Sequence, residues 1–389
     1  MSNKQPQWFT GSEYTHKVAR TIAQHGPIAR TTLAQMLNIS QGALSRITSD
    51  LIYDKVIQEN SNVNTKVQDD RSDSEHRGRP QTALEICAQE RTFIGINIHE
   101  NGIALTITDA LCKSLIDPVY ESISSQDPSQ LIEHICTLII QHSRLVNPAP
   151  CFIGISLGGH AVDNTTVTFA PFLHWNKPVE LSKIIEEKTH IPCLVFNDLD
   201  SLLLHEGWFG SGVGLSRFAI LTIGAGIGYS LTEHGEAIDY PDKSYGLVGH
   251  IPIDPKGPRC YAGHHGCSQC LTNDSIAEEY SQLINKQCTF TDFVQDLENN
   301  SSAAKQLANI LCFRLGTLIA ITANFAMPEK ILISGESSFI ARYNLESVRN
   351  GITHYRQSQT KPVDFEILDF TWNDWACSAA AMAIASYIG

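Results

Sequence analysis

The sequence predicts an α/β chain in two parts, a winged helix-turn-helix over residues 1–88 followed by a larger α/β body. The first observation is an N-terminal order of helix, helix, tight turn, helix and hairpin. The second is a series of buried strands that end in glycine-rich or polar turns. The third is the charge, because residues 1–80 hold ten Lys and Arg against eight Asp and Glu, whereas the remaining residues hold 18 against 33. A head less acidic than its body fits a small nucleic-acid module joined to a globular domain, although a net charge of −13 alone disfavours nucleic acid.

Three helices are predicted in the head, at residues 14–24, 31–37 and 41–53. Gly26-Pro27 ends the first helix, and Ser40 is placed to cap the third. Helical spacing predicts that the buried faces consist of Val18, Ile22, Leu33, Met36, Leu37, Leu44, Ile47 and Leu51.

The opposite face of the third helix carries side chains that a recognition helix uses on bases and phosphates in the major groove. These side chains are Gln41, Ser45, Arg46 and Ser49. Residues 56–57 and 82–86 are predicted to pair as a wing, and Arg77 and Arg79 in an Arg-Gly-Arg-Pro segment suit a narrow minor groove. A three-helix protein-interaction module shares the helical pattern and is the alternative. The acidic insert at residues 60–76 has no assigned function.

The body begins with predicted strands at 92–98 and 103–108, and further strands follow at 151–156, 192–196, 218–223 and 329–334. Helices are expected at 180–189, 199–206, 275–285, 293–299, 303–327 and 376–388. The sequence has no apolar run of about 18 residues, so a membrane span is not expected. The N-terminus lacks the apolar segment of a signal peptide, and the eleven cysteines suit reduced thiols, so we expect a cytoplasmic protein.

A loop at residues 246–270 concentrates imidazole and thiol groups, which are the ligands of a structural zinc ion. We predict one zinc ion per chain. The predicted ligands are His250, Cys260, Cys267 and Cys270. His264 and His265 are the other candidates for the fourth position, and a metal-free loop of packed thiols is the alternative.

The same loop resembles the signature of the ROK family of repressors, open reading frames and sugar kinases. The family pattern is G-E-x-G-H, about nine residues, then C-x-C-G-x-x-G-C-x-E. The matching positions are Gly246, Gly249, His250, Cys260, Gly263, Gly266 and Cys267. Leu247, Ala262 and Gln269 depart from the pattern, and Cys270 is proposed to replace the thiolate missing at Ala262. The head is similar to that of ROK repressors of the Mlc and NagC type.

The resemblance implies two actin-like (ribonuclease H-like) lobes with a sugar cleft between them. We expect the first lobe at 89–198, closed by the C-terminal helix 376–389, and the second, with the metal loop and dimerisation helices, at 199–375. By the same resemblance, the ligand-binding residues are expected to be Gly159, Asn197, Asp198, His250 and Gln269.

Several positions depart from the kinases of the family. Asn97 stands where the kinases have an Asp, and His99-Glu100-Asn101 replaces a glycine loop that cradles phosphate. Ala225 replaces the Thr of the second phosphate turn, and Leu247 cannot bond a sugar hydroxyl as Glu does. We therefore expect no catalytic residues and no kinase activity.

These features predict a DNA-binding transcriptional regulator, expected to be a repressor, of genes for sugar uptake or metabolism. Its expected partners are double-stranded operator DNA, a sugar or sugar-phosphate effector and a second copy of the chain, in a homodimer or a dimer of dimers. One alternative is a ROK sugar kinase with an extra domain. The other is a regulator that binds no sugar and responds to a protein of the sugar phosphotransferase system.

Overall fold

The contacts in the computed structural model, which describes residues 6–60, 82–239 and 245–389, divide the chain into two units. The first unit comprises Met1–Gly214 together with Trp372–Gly389, and the second comprises Leu215–Thr371. The predicted boundary at 198/199 falls inside a helix that packs within the first unit, so the boundary between the units lies at 214/215 instead.

The head has the element order of a winged helix-turn-helix. Its elements are α1 (Glu13–His25), β1 (Ile28–Ala29), α2 (Arg30–Leu37), α3 (Gln41–Tyr53), β2 (Ile57–Asn60) and β3 (Ala83–Ile86). The strands form a sheet in the order β1-β3-β2, with Ile57 opposite Ile86 as the wing prediction requires. Ser40 caps α3 as predicted, since its Oγ accepts from the backbone N–H of Ala43.

One predicted core position in the head is corrected. Met36 is 50% exposed, because the short helix α2 packs inward through Leu33 and Ala34. Leu37 and Ile47 are half-buried and pack against the core, and Thr48 is fully buried on α3.

The body of the first unit is a five-stranded sheet with helices on both faces. Its strands are β4 (Thr92–His99), β5 (Gly102–Asp109), β6 (Val119–Ser122), β7 (Phe152–Leu157) and β10 (Cys193–Asn197), in the order β10-β7-β4-β5-β6. A small hairpin pairs β8 (His160–Val162) with β9 (Thr166–Phe169). The helices are α4 (Pro128–Ser143), α5 (Leu181–Thr189), α6 (Asp198–Phe209) and α12 (Trp372–Ile388). Helix α4 was not predicted from the sequence.

Helix α12 lies directly on this sheet, above a pair of glycines that stand in register on β4 and β7. A Cβ atom on Gly95 would lie 1.9 Å from the carbonyl oxygen of Ala376, and one on Gly154 would lie 2.0 Å from that of Ala379. Glycine is needed at both positions because only a bare backbone leaves room for the helix.

The head and the body of the first unit share one apolar core. The backbone N–H of Trp8 donates to the carbonyl of Tyr387 at 2.8 Å, and Nδ1 of His16 lies 2.6 Å from the carbonyl oxygen of Ile388. The shared core includes Val18, Leu44 and Leu51 of the head, and Phe93, Trp208 and Ile384 of the body. The head is therefore packed against the last turns of α12.

The second unit is another five-stranded sheet with helices. Its strands are β11 (Phe218–Ile223), β12 (Ile227–Glu233), β13 (Glu236–Ala237), β14 (Lys330–Ser334) and β15 (Phe365–Ile367), in the order β13-β12-β11-β14-β15. Its helices are α7 (Asn273–Ile284), α8 (Phe290–Glu298), α9 (Ser302–Ala326), α10 (Ile340–Tyr343) and α11 (Leu345–His354). By length and composition α9 could cross a membrane, but 72% of its most apolar window is buried, as in a core helix.

Candidate functional site

The outward face of α3 presents the predicted DNA-contacting residues of the third helix. Gln41, Ser45, Arg46 and Ser49 are all exposed, and Ser49 Oγ donates to the carbonyl of Ser45 at 2.8 Å. Arg46 makes no ion pair among the described residues. Arg77, Arg79 and most of the acidic insert lie outside the described residues.

Three of the predicted ligand-binding residues meet at the carboxyl end of β10 in the first unit. Asn197 caps α6, because its Oδ1 accepts from the backbone N–H groups of Leu199 at 3.0 Å and Asp200 at 3.2 Å. Its Nδ2 donates to the carbonyl of Gly159 at 2.8 Å. Most of the hydrogen-bonding capacity of Asn197 is therefore used in the fold.

Asp198 is the titratable group of this corner. Its Oδ1 accepts from the backbone N–H of Leu199 at 2.8 Å, and a Cβ atom on Gly158 would lie 3.4 Å from its Oδ2. Burial raises the pKa of the Asp198 carboxyl to about 6. Such a carboxylate can accept a hydrogen bond from a ligand hydroxyl at neutral pH.

The hairpin between β4 and β5 is occupied by aromatic side chains. The His99 ring stacks on Trp372, with ring centroids 3.6 Å apart and an interplanar angle of 6°, and Tyr120 lies on its other side at 5.7 Å. Burial lowers the pKa of His99 to about 4, so the ring is neutral at physiological pH. Asn97 is buried beneath and donates to Ser156 Oγ at 3.0 Å. The loop is thus built from packed side chains rather than open backbone amides.

A cluster of four metal-ligand side chains lies in the second unit. It comprises His250, Cys260, His264 and Cys267, whose ligand atoms all lie within 4.8 Å of one another. His250 Nδ1 is 3.2 Å from His264 Nδ1, 3.8 Å from Cys260 Sγ and 4.0 Å from Cys267 Sγ. Tetrahedral zinc, with bonds of about 2.0–2.3 Å, separates its ligand atoms by about 3.3–3.8 Å. The donor set is therefore one that zinc favours, and the three distances lie within about 0.2 Å of the tetrahedral range.

The prediction that Cys270 is a metal ligand is corrected, because its sulfur is not part of this cluster. The segment Ser268–Leu271 is a single 3₁₀ turn, so Cys270 points into the apolar core, where it is 3% exposed. Burial raises the pKa of its thiol to about 12, which disfavours the thiolate that binds metals. The other candidate His264 is the fourth member of the cluster, whereas His265 accepts from Arg259 Nε at 3.3 Å.

The two predicted ligand-binding residues of the second unit are partly engaged. His250 Nε2 lies 3.0 Å from the Tyr261 hydroxyl, which orients the ring so that Nδ1 faces the cluster. Gln269 lies over Gly249, where a Cβ atom would be 2.4 Å from its Nε2. Leu247 is 56% exposed.

Tyr261 and Trp372 were not predicted from the sequence as parts of these sites. A tyrosine next to a candidate metal-binding cysteine is a usable signal for a partner of an imidazole. No local pattern links Trp372 to His99, because the two residues are 273 positions apart in the chain.

Comparisons with known proteins agree with this architecture. The sequence model of the ROK family matches residues 93–387. The DNA-binding transcriptional repressor Mlc of Escherichia coli strain K12 is 24% identical over 387 residues, which cover 96% of this chain and 93% of Mlc. The N-acetylglucosamine repressor of Escherichia coli O6:H1 is 25% identical over 337 residues, covering 82% and 79% of the two chains.

Among solved structures, a ROK family transcriptional regulator described as a homologue of Mlc is similar in fold. It has a TM-score of 0.74, 24% sequence identity, and coverage of 96% of each chain. The similarity extends over the head as well as the body.

Proposed function

The chain belongs to the ROK family, and from that membership we propose that it is a transcriptional repressor of genes for sugar uptake or metabolism. The observation that carries this proposal is the exposed polar face of α3 in a head that shares its core with a ROK body. The curated relatives Mlc and the N-acetylglucosamine repressor, both named as repressors, support it. We place the protein in the cytoplasm, where operator DNA is found, and propose that two chains bind a two-fold operator.

We expect Arg46→Ala to lower operator affinity by about 1–3 kcal/mol and to relax base preference, because Arg46 is exposed on the recognition face. Arg79→Ala should weaken binding to all sequences and flatten the salt dependence. Titration of the full chain onto DNA from its own upstream region, mapped first by footprinting, measures both effects and the expected two chains per operator.

The matched control is Arg349→Ala, which removes the same charge from an exposed position of α11 in the second unit. Wild-type affinity in Arg46→Ala, or an equal loss in Arg349→Ala, contradicts the role of α3. One chain per operator contradicts the dimer.

The body is proposed to sense a sugar or a sugar phosphate. In the first unit the proposed ligand-binding residues are Gly159, Asn197 and Asp198. In the second unit, taken by itself, they are His250 and Gln269. The half-buried Asp198 carboxylate supports this assignment, since it can accept a hydroxyl hydrogen bond. We also propose that the chain is not a kinase, because side chains of His99 and Trp372 occupy the hairpin that would hold phosphate.

A thermal-shift screen of sugars and sugar phosphates should find a ligand that raises the unfolding temperature of the wild type. Asp198→Asn should abolish that rise, while Asp200→Asn in the same helix should retain it. ATP-dependent phosphorylation of the ligand should stay at background in every variant. If no sugar stabilises the chain, control by a phosphotransferase-system protein becomes the favoured mechanism. If the wild type phosphorylates the ligand and Asp198→Asn does not, the protein is a kinase.

We further propose that the cluster of His250, Cys260, His264 and Cys267 holds one structural zinc ion. A salt-bridge network that includes a residue of the loop supports a structural role for the metal ion. The buried Arg314 bonds Asp254 of the loop at 2.9 Å and Glu279 of α7 at 2.9 Å. The metal would hold residues 250–267, a segment with little regular secondary structure, in one conformation.

A further inference from the structure

A carboxylate lies against the glycine-rich turn that joins β11 to β12. Glu336 Oε1 accepts from the backbone N–H of Ala225 at 2.8 Å, although the two residues are 111 positions apart. A Cβ atom on Gly224 would lie 2.6 Å from Glu336 Cγ, so glycine at 224 makes room for this side chain. The turn is therefore shaped around Glu336.

The segment that carries Glu336 is held in place on both sides. The backbone N–H of Ser337 donates to the carbonyl of Ile223 at 3.1 Å, and Ser337 Oγ bonds Asn273 Oδ1. Gly335 has a φ of +94°, and a Cβ atom there would lie 2.4 Å from the carbonyl oxygen of Ile223. Because the backbone is fixed beside the turn, the carboxylate is presented to Ala225 by a rigid support.

Backbone N–H groups of glycine-rich turns bind anionic oxygen atoms, and phosphate oxygens are the usual occupants. In this chain the N–H of Ala225 is already bonded to an anionic oxygen, which belongs to the protein itself. A phosphate at the turn would have to displace that oxygen and would also meet the negative charge of Glu336 at short range.

We propose that Glu336 is an internal anion that closes the turn Gly224–Gly226 to phosphate groups and so determines which ligands the second unit rejects. Nucleotides and inorganic polyphosphates are then excluded from this turn, and any phosphate of an effector is bound elsewhere. The inference concerns the second unit alone and does not depend on DNA binding by the head.

The test is the binding of inorganic pyrophosphate to the full-length chain, measured by calorimetric titration. Hydrogen–deuterium exchange of peptides spanning 218–231 locates the bound anion. Wild type should bind weakly and show no slowing of exchange at the turn. Glu336→Ala should bind at least tenfold more tightly and show slower exchange there, because its turn amide is free.

Glu336→Gln keeps an oxygen that can accept from Ala225 but removes the charge, so we expect intermediate affinity. If Glu336→Ala does not fold, the affinity of Glu336→Gln for pyrophosphate provides the test of the proposal. Glu298→Ala, at an exposed position at the end of α8, is the control for net charge and should behave as wild type. Pyrophosphate protection of the turn in wild type overturns the proposal, and so does a folded variant at Glu336 that gains neither affinity nor protection.

Discussion

His264→Ala is expected to reduce bound zinc from about one ion per chain to a small fraction, whereas Cys270→Ser should keep it. His264 Nδ1 lies 3.2 Å from His250 Nδ1 inside the cluster, and Cys270 is buried in the apolar core away from it. Structural zinc in small domains contributes about 10–16 kcal/mol of apparent binding free energy at neutral pH. Loss of one of four ligands should therefore lower zinc affinity by orders of magnitude.

Elemental analysis of protein purified without a metal-affinity step measures the zinc content. His265→Ala is the matched control, because His265 is adjacent in sequence but bonds Arg259 instead of joining the cluster. A chelator should lower the unfolding temperature of wild type and His265→Ala but have little effect on His264→Ala. Zinc retained in His264→Ala and lost in Cys270→Ser would restore Cys270 as the fourth ligand, and zinc-free wild type would end the proposal.

Gly154→Ala is expected to destabilise the first unit by about 3 kcal/mol, near the upper end for overpacking. The new methyl group would lie 2.0 Å from the carbonyl oxygen of Ala379 and 3.2 Å from Ala383 Cβ. The closest atom belongs to the backbone of α12, so no side-chain rotation relieves the contact. Because 1 kcal/mol shifts the unfolding temperature of a domain this size by about 2–4 °C, calorimetry should show a decrease of at least about 6 °C.

Gly42→Ala is the control for the same chemical change. Nothing lies within 4 Å of a Cβ atom at Gly42, which is in the first turn of α3, so this variant should be as stable as wild type or slightly more stable. Hydrogen exchange should show faster opening of β7 in Gly154→Ala and unchanged exchange in β11 of the second unit. An unfolding temperature of Gly154→Ala equal to that of wild type would show that α12 does not lie against Gly154.

The head was the part best predicted from sequence, because its signals are local. The cap at Ser40 and the spacing of Leu44 and Leu51 determine α3, and the structure gives that helix the predicted bounds. Met36 was wrongly placed in the core, since helical spacing gives the direction of a side chain but not the area that a neighbouring element can cover.

The candidate metal site was predicted in part. His250, Cys260 and Cys267 follow from ligand chemistry and spacing, and the structure brings them together. Cys270 follows Cys267 by three residues, but a 3₁₀ turn followed by a new helix cap at Thr272 directs its side chain inward. The contacts of Glu336 with Ala225 and of His99 with Trp372 join distant segments, so no sequence window contains them.

The packing of the head on the end of α12 has a thermodynamic consequence. Since Val18 and Ile384 belong to one core, the head and the sheet beneath α12 should unfold as one cooperative unit, and an excised head would expose apolar surface. If the proposed effector changes the affinity for operator DNA through α12, thermodynamic linkage requires that the operator change the affinity for the effector by the same factor. Saturating the protein with DNA would then alter its effector affinity, even though DNA and effector never touch.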